Sequence, residues 1–261
     1  MNVIERFYVR IFKFIISKLQ KSFETKRLGT EYGGWNLIDF KELNNKTIIS
    51  AGCGEDISFD IEYLNTYGGK IILIDPTPRS IKHLQKVLNS VGNKKTMDYV
   101  SGGNQKIESY DLENIQTEQL VVKKYALFKE DGKTVTFFPP KNPEHVSHSI
   151  SNWQKGETDS NKSIEVETIT VKKIMEDQKI NELELIKLDI EGAENQVLPY
   201  LIKNKIFPNQ ILVEFDELHT KNFMSYCKAL IIIFRLLFKK YILIKTNKFP
   251  DMLFVKKSLI T

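Results

Sequence analysis

The segment that most constrains the fold is Thr47–Asp56, in which a short apolar run leads into two glycines and two acids. The run predicts a buried strand, and apolar residues at helical spacing from Ile57 onward predict a helix after it. Gly52 and Gly54 can adopt backbone angles that other residues avoid, so the turn can lie against a ligand. A second apolar run, Lys70–Asp75, delivers an acid about 20 residues later, where a carboxylate reaches a ribose diol. This pattern predicts a nucleoside-binding half of an α/β sheet.

The composition of the turn distinguishes between two nucleoside cofactors. A dinucleotide fingerprint has a third glycine three residues after the second, at the position where this chain has Ile57. The carboxylates of Glu55 and Asp56 would repel a pyrophosphate, whereas they would attract the sulfonium and ammonium groups of S-adenosylmethionine. The turn therefore favours S-adenosylmethionine, and a nicotinamide-dependent oxidoreductase stays open as the alternative.

Two later apolar runs, Leu183–Asp189 and Gln210–Glu214, also end in acids. Because ligands of open parallel sheets bind beyond the carboxyl ends of the strands, we expect these acids to meet at one edge. Such a group of carboxylates predicts a site for a cationic ligand that bears hydroxyl groups. The residues predicted to bind the cofactor are Gly52, Gly54, Glu55, Asp56 and Asp75.

The order of the apolar segments predicts an α/β fold with a Rossmann-like, mostly parallel sheet. Near the C-terminus, Tyr241–Lys245 and Met252–Lys256 are expected to close this sheet as antiparallel strands. The dipeptide Asp131-Gly132 predicts a hairpin between the strand signals on either side of it. Pro199 is expected to kink or interrupt the helix that follows Asp189.

A basic amphipathic helix precedes the predicted sheet. Through residues 1–21, arginines and lysines alternate with apolar residues at helical offsets, which is typical of a helix packed on a domain, lying on a membrane surface or binding a partner. We predict a helical unit at 1–30 and a Rossmann-like domain at 31–261, with loop and hairpin insertions at 90–165. The uncharged stretches of the helix are too short for a signal peptide, so we expect a cytoplasmic protein, with peripheral contact at the inner membrane face through residues 1–21.

Composition argues against several other classes of protein. The two cysteines, Cys53 and Cys227, cannot form a disulfide framework and favour a reducing compartment. The four histidines have no zinc-like spacing, so we expect no metal site. The formal net charge of +5 is modest and the lysines are spread along the chain, which argues against a nucleic-acid partner.

Transfer of a methyl group to a hydroxyl needs a base that takes the hydroxyl proton, and carboxylates or imidazoles can serve. Four such groups lie at or just after the two later acid-terminated strands, although each can equally cap a helix or form an ion pair. The candidate catalytic residues are Asp189, Glu191, Glu214 and His219. Polar side chains in the loop after Phe138 suit the hydroxyls of an acceptor. The candidate substrate-binding residues are His145, Ser147 and His148.

Four motifs, in their order along the chain, resemble those of the FkbM-type methyltransferases, which use S-adenosylmethionine. The resemblance implies a class I methyltransferase fold, a cofactor at the glycine turn and Asp75, and O-methylation, often of sugars in polysaccharides, glycolipids or secondary metabolites. It extends over roughly residues 33–254, and the N-terminal helix and the segment 90–119 look like additions to the family core. The four motifs are Ile49–Asp60, Asp75–Pro78, His145–Ser149 and Leu188–Glu194.

Three function classes follow from these observations. The leading hypothesis is an S-adenosylmethionine-dependent O-methyltransferase that acts on a sugar hydroxyl of a surface glycan, a glycolipid or a nucleotide-linked precursor. The second is the nicotinamide-dependent oxidoreductase. The third is a non-catalytic, methyltransferase-like protein that binds a partner through its amphipathic N-terminus.

Overall fold

The computed structural model of the chain describes residues 3–138, 163–220, 222–246 and 248–260. Helix α1 and two short strands precede the main sheet, and strands and helices then alternate. The elements are α1 (Val3–Leu19), β1 (Lys26–Leu28), β2 (Trp35–Leu37), β3 (Thr47–Ala51), α2 (Ser58–Tyr67), β4 (Lys70–Ile74), α3 (Pro78–Asn89), β5 (Leu120–Lys123), β6 (Ala126–Leu127), β7 (Thr134–Phe137), β8 (Ile164–Ile169), α4 (Val171–Asp177), β9 (Leu185–Leu188), α5 (Glu194–Lys203), β10 (Gln210–Glu214), α6 (Phe223–Phe238), β11 (Tyr241–Ile244) and β12 (Asp251–Lys256).

Seven strands of the described chain form the main sheet, in the order β11-β12-β10-β9-β3-β4-β5. The strands from β10 to β5 run parallel, whereas β12 pairs antiparallel with both β10 and β11. The predicted α/β fold, with a mostly parallel sheet and an antiparallel closing strand, is therefore confirmed. The chain builds outward from β3 to β4 and β5, and then returns to build β9 and β10 on the other side of β3. This reversal creates a topological switch point beside β3, where open α/β sheets bind their ligands.

Helices cover both faces of the sheet. Because successive side chains of a strand point to opposite faces, the nearly continuous apolar runs of β3 and β9 are buried on both sides. Ile49 packs in one core with residues of α4, α5 and α6, and Ile48 packs in the other with residues of α2 and α3. Helix α1 belongs to the first core, since Phe12 and Ile16 are buried there and the Phe12 ring lies 4.9 Å from the ring of Tyr226 in α6.

The predicted hairpin around Asp131 and Gly132 is not confirmed. Strands β6 and β7 instead lie on either side of β8, parallel and antiparallel to it respectively, in a separate three-stranded sheet. The turn is bonded to the end of β8 because the Gly132 amide donates to the Thr168 carbonyl and the Asp131 carboxylate accepts from the amide and hydroxyl of Thr170. A third strand from later in the chain has therefore separated the two strands that the dipeptide was expected to join.

Pro199 was expected to kink or interrupt α5, and the interruption does not occur, because the helix runs from Glu194 through Pro199 to Lys203. A kink at Pro199 stays a prediction. Proline removes one backbone donor from a helix interior. Val197, Leu198 and Leu201 are almost completely buried on the sheet, and their packing offsets the loss of that hydrogen bond.

Candidate functional site

A cavity of about 780 Å³ lies at the carboxyl ends of β3, β4, β9 and β10, beside the switch point. A volume of this size is typical of sites for cofactors and small substrates. The structure brings to this one cavity all the predicted cofactor residues and all four candidate catalytic residues, whereas the predicted substrate residues His145, Ser147 and His148 lie outside the described residues. The predicted cofactor and catalytic residues that line the cavity are Gly52, Gly54, Glu55, Asp56, Asp75, Asp189, Glu191, Glu214 and His219.

The glycine turn is pressed against the end of β9. Gly52 has a φ of +80°, and a Cβ atom placed on it would lie 1.6 Å from the Asp189 carbonyl oxygen. Gly54 has a φ of +56°, but a Cβ atom there would meet no atom within 4 Å. The first position of the turn therefore needs glycine, because a side chain would overlap the backbone of β9. At the second position glycine is favoured by the left-handed conformation, and the space beside it is open.

Asp75 holds this turn in place. Its Oδ2 accepts hydrogen bonds from the amides of Cys53 and Gly54, each at 3.0 Å. Its Oδ1 accepts from the amide and hydroxyl of Thr77, at 2.8 and 2.7 Å. These four bonds fill the ordinary acceptor capacity of a carboxylate. The ribose contact expected for Asp75 stays a prediction, and the role that the geometry gives it is to orient the peptide groups of the turn.

The two acids of the turn have partners within the protein. Glu55 forms an ion pair with Arg79 in α3. Asp56 accepts hydrogen bonds from the Thr30 hydroxyl and from the Ser58 amide at the start of α2, where a carboxylate can bond the free amides of a helix N-terminus. Glu55 is therefore compensated by a cation, whereas the Asp56 carboxylate is stabilised by hydrogen bonds from neutral groups.

Four more carboxylates lie at or just after the ends of β9 and β10. Asp189, Glu191, Glu214 and Asp216 all line this wall of the cavity. Burial and the nearby Glu214 carboxylate raise the pKa of Asp189 to about 8, against the opposing effect of the Lys187 ammonium. Burial, together with Glu191 and other neighbouring carboxylates, also raises the pKa of Asp216 well above its usual range. A cationic ligand would stabilise the ionised form of these groups.

His219 lies beside Glu214, and its ring Nε2 is 3.2 Å from Glu214 Oε1. This hydrogen bond raises the pKa of His219, against the opposing effect of partial burial. The pair thus couples an imidazole to a carboxylate on the cavity wall, an arrangement that can accept and pass on a proton.

Lys187 also lines the cavity, although it was not among the predicted site residues. This lysine is buried in the middle of β9, and its Nζ donates to the Gly52 carbonyl at 2.8 Å. Burial lowers the pKa of Lys187, but the carboxylates of Asp189 and Asp60 outweigh this effect, so the pKa is raised. The sequence signal for Lys187 is its position inside an otherwise apolar strand. A lysine that is buried in this way needs a partner inside the protein, so the position indicates a polar site nearby.

Two loops also line the cavity. The segment 30–33 contributes Thr30 and Tyr32, and the segment 100–103 contributes Gly102 and Gly103. A Cβ atom on Gly103 would lie 2.3 Å from the Tyr32 ring, so the two loops approach each other closely.

The raised pKa of Asp189 predicts a pH-dependent gain in stability for Asp189→Asn. The unfolded carboxyl ionises near pH 4, whereas the folded one ionises near pH 8, so the wild-type chain loses stability progressively as the pH rises between these values. The asparagine variant has no such loss. We expect its free energy of unfolding to exceed that of the wild type by up to about 5 kcal/mol at pH 8 and by almost nothing at pH 4. Thermal unfolding across this range, with a chelator present, measures the difference, and a constant offset at every pH would contradict the assignment.

The comparisons with known proteins point in the same direction as the geometry. A family model described as the methyltransferase FkbM domain matches residues 45–241, which is more than half of the chain. The chain belongs to the FkbM methyltransferase domain family. Comparisons with curated proteins and with solved structures gave no match.

Membership of the FkbM family implies methyl transfer as the general activity, and the nicotinamide-dependent alternative is not favoured. The matched residues include the glycine turn and both acidic strand ends of the cavity, whereas the cavity-lining residues 30–33 and Lys248 lie outside the match. Helix α1 and the closing strand β12 lie outside the match.

Proposed function

We propose that this FkbM-family chain is an S-adenosylmethionine-dependent O-methyltransferase whose acceptor is a sugar hydroxyl in a surface glycan, a glycolipid or a nucleotide-linked precursor. The observation that carries the proposal is that one cavity of a methyltransferase-family domain contains both an open glycine turn and a wall of four carboxylates.

The residues of the cavity fit S-adenosylmethionine. The left-handed Gly54 leaves open space where a side chain would stand, so a ligand can approach the backbone of the turn. The carboxylates at the ends of β9 and β10 favour a ligand that carries positive charge, and a pyrophosphate would be repelled there. When bound, S-adenosylmethionine supplies a methyl group on a sulfonium, which is already a good leaving group.

The remaining work of the protein is to orient the acceptor, exclude water and remove a proton. Carboxylates accept hydrogen bonds from hydroxyl groups, so Asp189, Glu191 and Glu214 suit an acceptor with several hydroxyls. Asp189 is the base that we favour, because a pKa near 8 lets it receive a proton from the acceptor near neutral pH. Because kcat/KM reports the pKa values of the free enzyme, kcat/KM is then expected to rise with pH up to about pH 8, as the carboxylate ionises.

The test is transfer of a radiolabelled methyl group from S-adenosylmethionine to a panel of nucleotide sugars, glycolipids and polysaccharide extracts. We expect label in a sugar-containing product and a mass increase of one methyl group. Asp189→Asn should lower kcat by about 100-fold or more, while the exposed Asp177→Asn in α4 leaves it unchanged. Label that appears only in protein or nucleic acid would contradict the sugar acceptor, and equal rates for the two variants would contradict Asp189 as the base.

The outer surfaces of α1 and α6 combine apolar and basic side chains. On α1, Phe7, Ile11 and Phe14 are exposed at helical offsets of four and seven, and Phe238 on α6 is 84% exposed. Exposed basic residues lie on the same two helices or directly after α6. These are Arg6, Arg10, Lys13, Lys228, Arg235 and Lys239. In the described part of the chain, no helix combines the length and apolar character needed to cross a bilayer.

We propose that this surface lies on an anionic phospholipid membrane, where apolar side chains enter the interface and basic ones meet the lipid headgroups. A membrane location would bring the enzyme to lipid-linked sugar acceptors. The exposed Phe223 and Met224 at the start of α6 extend the same apolar character.

Sedimentation with vesicles of phosphatidylglycerol and phosphatidylcholine tests the membrane proposal. We expect binding that weakens by about tenfold or more in the double variant Phe7→Ser/Phe14→Ser, since each serine removes a large apolar side chain from the interface. Phe23→Ser, which changes an exposed phenylalanine outside the two helices, serves as the matched control. Equal vesicle binding by the double variant and the control would contradict the proposal and show that the surface has no role in binding. Concentration-dependent dimers that only the double variant loses would also contradict it and show that the surface binds a second copy of the chain.

A further inference from the structure

Three side chains at and after the end of β10 form a compact group of metal-ligand type. One ligand atom from each of Glu214, Asp216 and His219 lies within 4.8 Å of the others. The Glu214 Oε1 and His219 Nε2 atoms are 3.2 Å apart. Two ligand atoms at right angles on an ion with bonds of about 2.1 Å are separated by about 3 Å. The pair is therefore already spaced as neighbouring ligands of one ion.

A second observation points to a ligand at this place. Asp216 is only 5% exposed, and its Oδ2 atom has no hydrogen-bond partner among the described residues. A buried carboxylate oxygen without a donor is costly, so native proteins rarely leave one unmatched. Asp60, Glu194 and Asp251 also have such an oxygen, but of these acids only Asp216 lines the cavity, together with Glu214 and His219.

The nearby lysines are engaged elsewhere. Lys187 Nζ donates to the Gly52 carbonyl, and Lys248 Nζ lies 3.4 Å from Asp251 Oδ2 and donates to the Tyr32 carbonyl. Neither contact supplies a donor to the Asp216 carboxylate. The group thus has ligand atoms, negative charge and an unmatched buried oxygen, which are the properties of a cation site.

We propose that Glu214, Asp216 and His219 bind a divalent cation in the cavity. The donor set contains two carboxylates and one imidazole and no thiolate, which suits Mn²⁺ or Mg²⁺ better than a soft metal. The absence of zinc-like spacing in the sequence does not bear on this site, because its ligands follow one another within a single short segment.

The role of the ion rests on the proposed function. A divalent cation at this wall would bind the acceptor oxygen and lower the pKa of its hydroxyl, so that a neighbouring carboxylate could take the proton more easily. It would also compensate the charge of Asp189, which lies on the same wall.

Binding of Mn²⁺ alone tests the site, and the electron paramagnetic resonance signal of free Mn²⁺ serves as the readout. The full chain is titrated without S-adenosylmethionine or acceptor. We expect one Mn²⁺ per chain, displaced by Mg²⁺, and a Kd that rises by at least about tenfold in Asp216→Asn and in Glu214→Gln. Glu194→Gln is the matched control, because Glu194 is a buried acid of the same region that does not line the cavity. Its Kd should stay within about twofold of the wild-type value.

Thermal unfolding in chelator first confirms that each variant folds, and we expect Asp216→Asn to be more stable than the wild type because it removes a buried charge. Absence of Mn²⁺ binding by the folded wild type, or equal weakening in Glu194→Gln, would overturn the proposal. Because the titration needs neither the methyl donor nor an acceptor, its failure leaves the methyl-transfer assay untouched. A failed transfer assay likewise leaves a measured Mn²⁺ site in place.

Discussion

Gly52→Ala is expected to destabilise the chain by more than about 4 kcal/mol, enough to unfold a domain of ordinary stability. The added Cβ atom would lie 1.6 Å from the Asp189 carbonyl oxygen, and the φ of +80° at this position disfavours any side chain. Relief of the overlap requires the turn after β3 to separate from the end of β9. That separation would also break the hydrogen bond from the Asp189 amide to the Ala51 carbonyl. Chemical denaturation of the purified variant measures the loss.

Gly54→Ala is the matched control for this substitution. It places the same side chain in the same turn, also at positive φ, but in open space. It should cost only about 1–2 kcal/mol, the energy of a left-handed non-glycine residue. If the two variants unfold at the same denaturant concentration, the close contact between the glycine turn and β9 is wrong.

Lys187→Met is expected to lower the free energy of unfolding by about 3–5 kcal/mol at pH 8. Methionine fills a similar volume, but it removes the ammonium that compensates the carboxylates of Asp189 and Asp60 and that bonds the Gly52 carbonyl. These acids would then remain buried without a countercharge. The loss should shrink toward pH 4, where Asp189 is protonated in the folded chain and needs no countercharge.

Urea unfolding at several pH values measures this effect. Lys173→Met is the control, because Lys173 forms an exposed ion pair with Asp177, and such pairs contribute about 0.2–1 kcal/mol. A loss for Lys187→Met as small as the control, at every pH, would show that the lysine does not support the acidic wall.

Those parts of the fold whose signals are local were predictable from the sequence. The apolar run of β3, the two glycines and the acid at the end of β4 specify a strand, a turn and a second strand within 30 residues, and the structure contains all three. The antiparallel closing strands were predictable for the same reason, since each is a short apolar run bounded by turns. The hairpin at Asp131 and Gly132 was not, because β8 pairs with both flanking strands and comes about 30 residues later in the chain.

The chemistry of the site was only partly predictable for a similar reason. A sequence indicates that Asp56, Asp75 and Asp189 meet at one edge of a sheet, and the structure brings all three to the cavity. It does not indicate which acids the protein itself satisfies. Asp75 is satisfied by the turn and Thr77, and Asp56 by Thr30 and Ser58, whereas Asp216 keeps an unmatched oxygen. Such differences depend on partners that are distant in sequence. Because the acids near the glycine turn already have partners, we expect the reacting groups at the ends of β9 and β10.

Calorimetric titration of the wild-type chain with S-adenosylmethionine, and separately with NAD⁺, tests most directly whether this cavity holds a cationic methyl donor. The account predicts saturable binding of one S-adenosylmethionine per chain and no saturable heat with NAD⁺. Saturable binding of the dinucleotide alone, or no binding of S-adenosylmethionine by the folded protein, would contradict it.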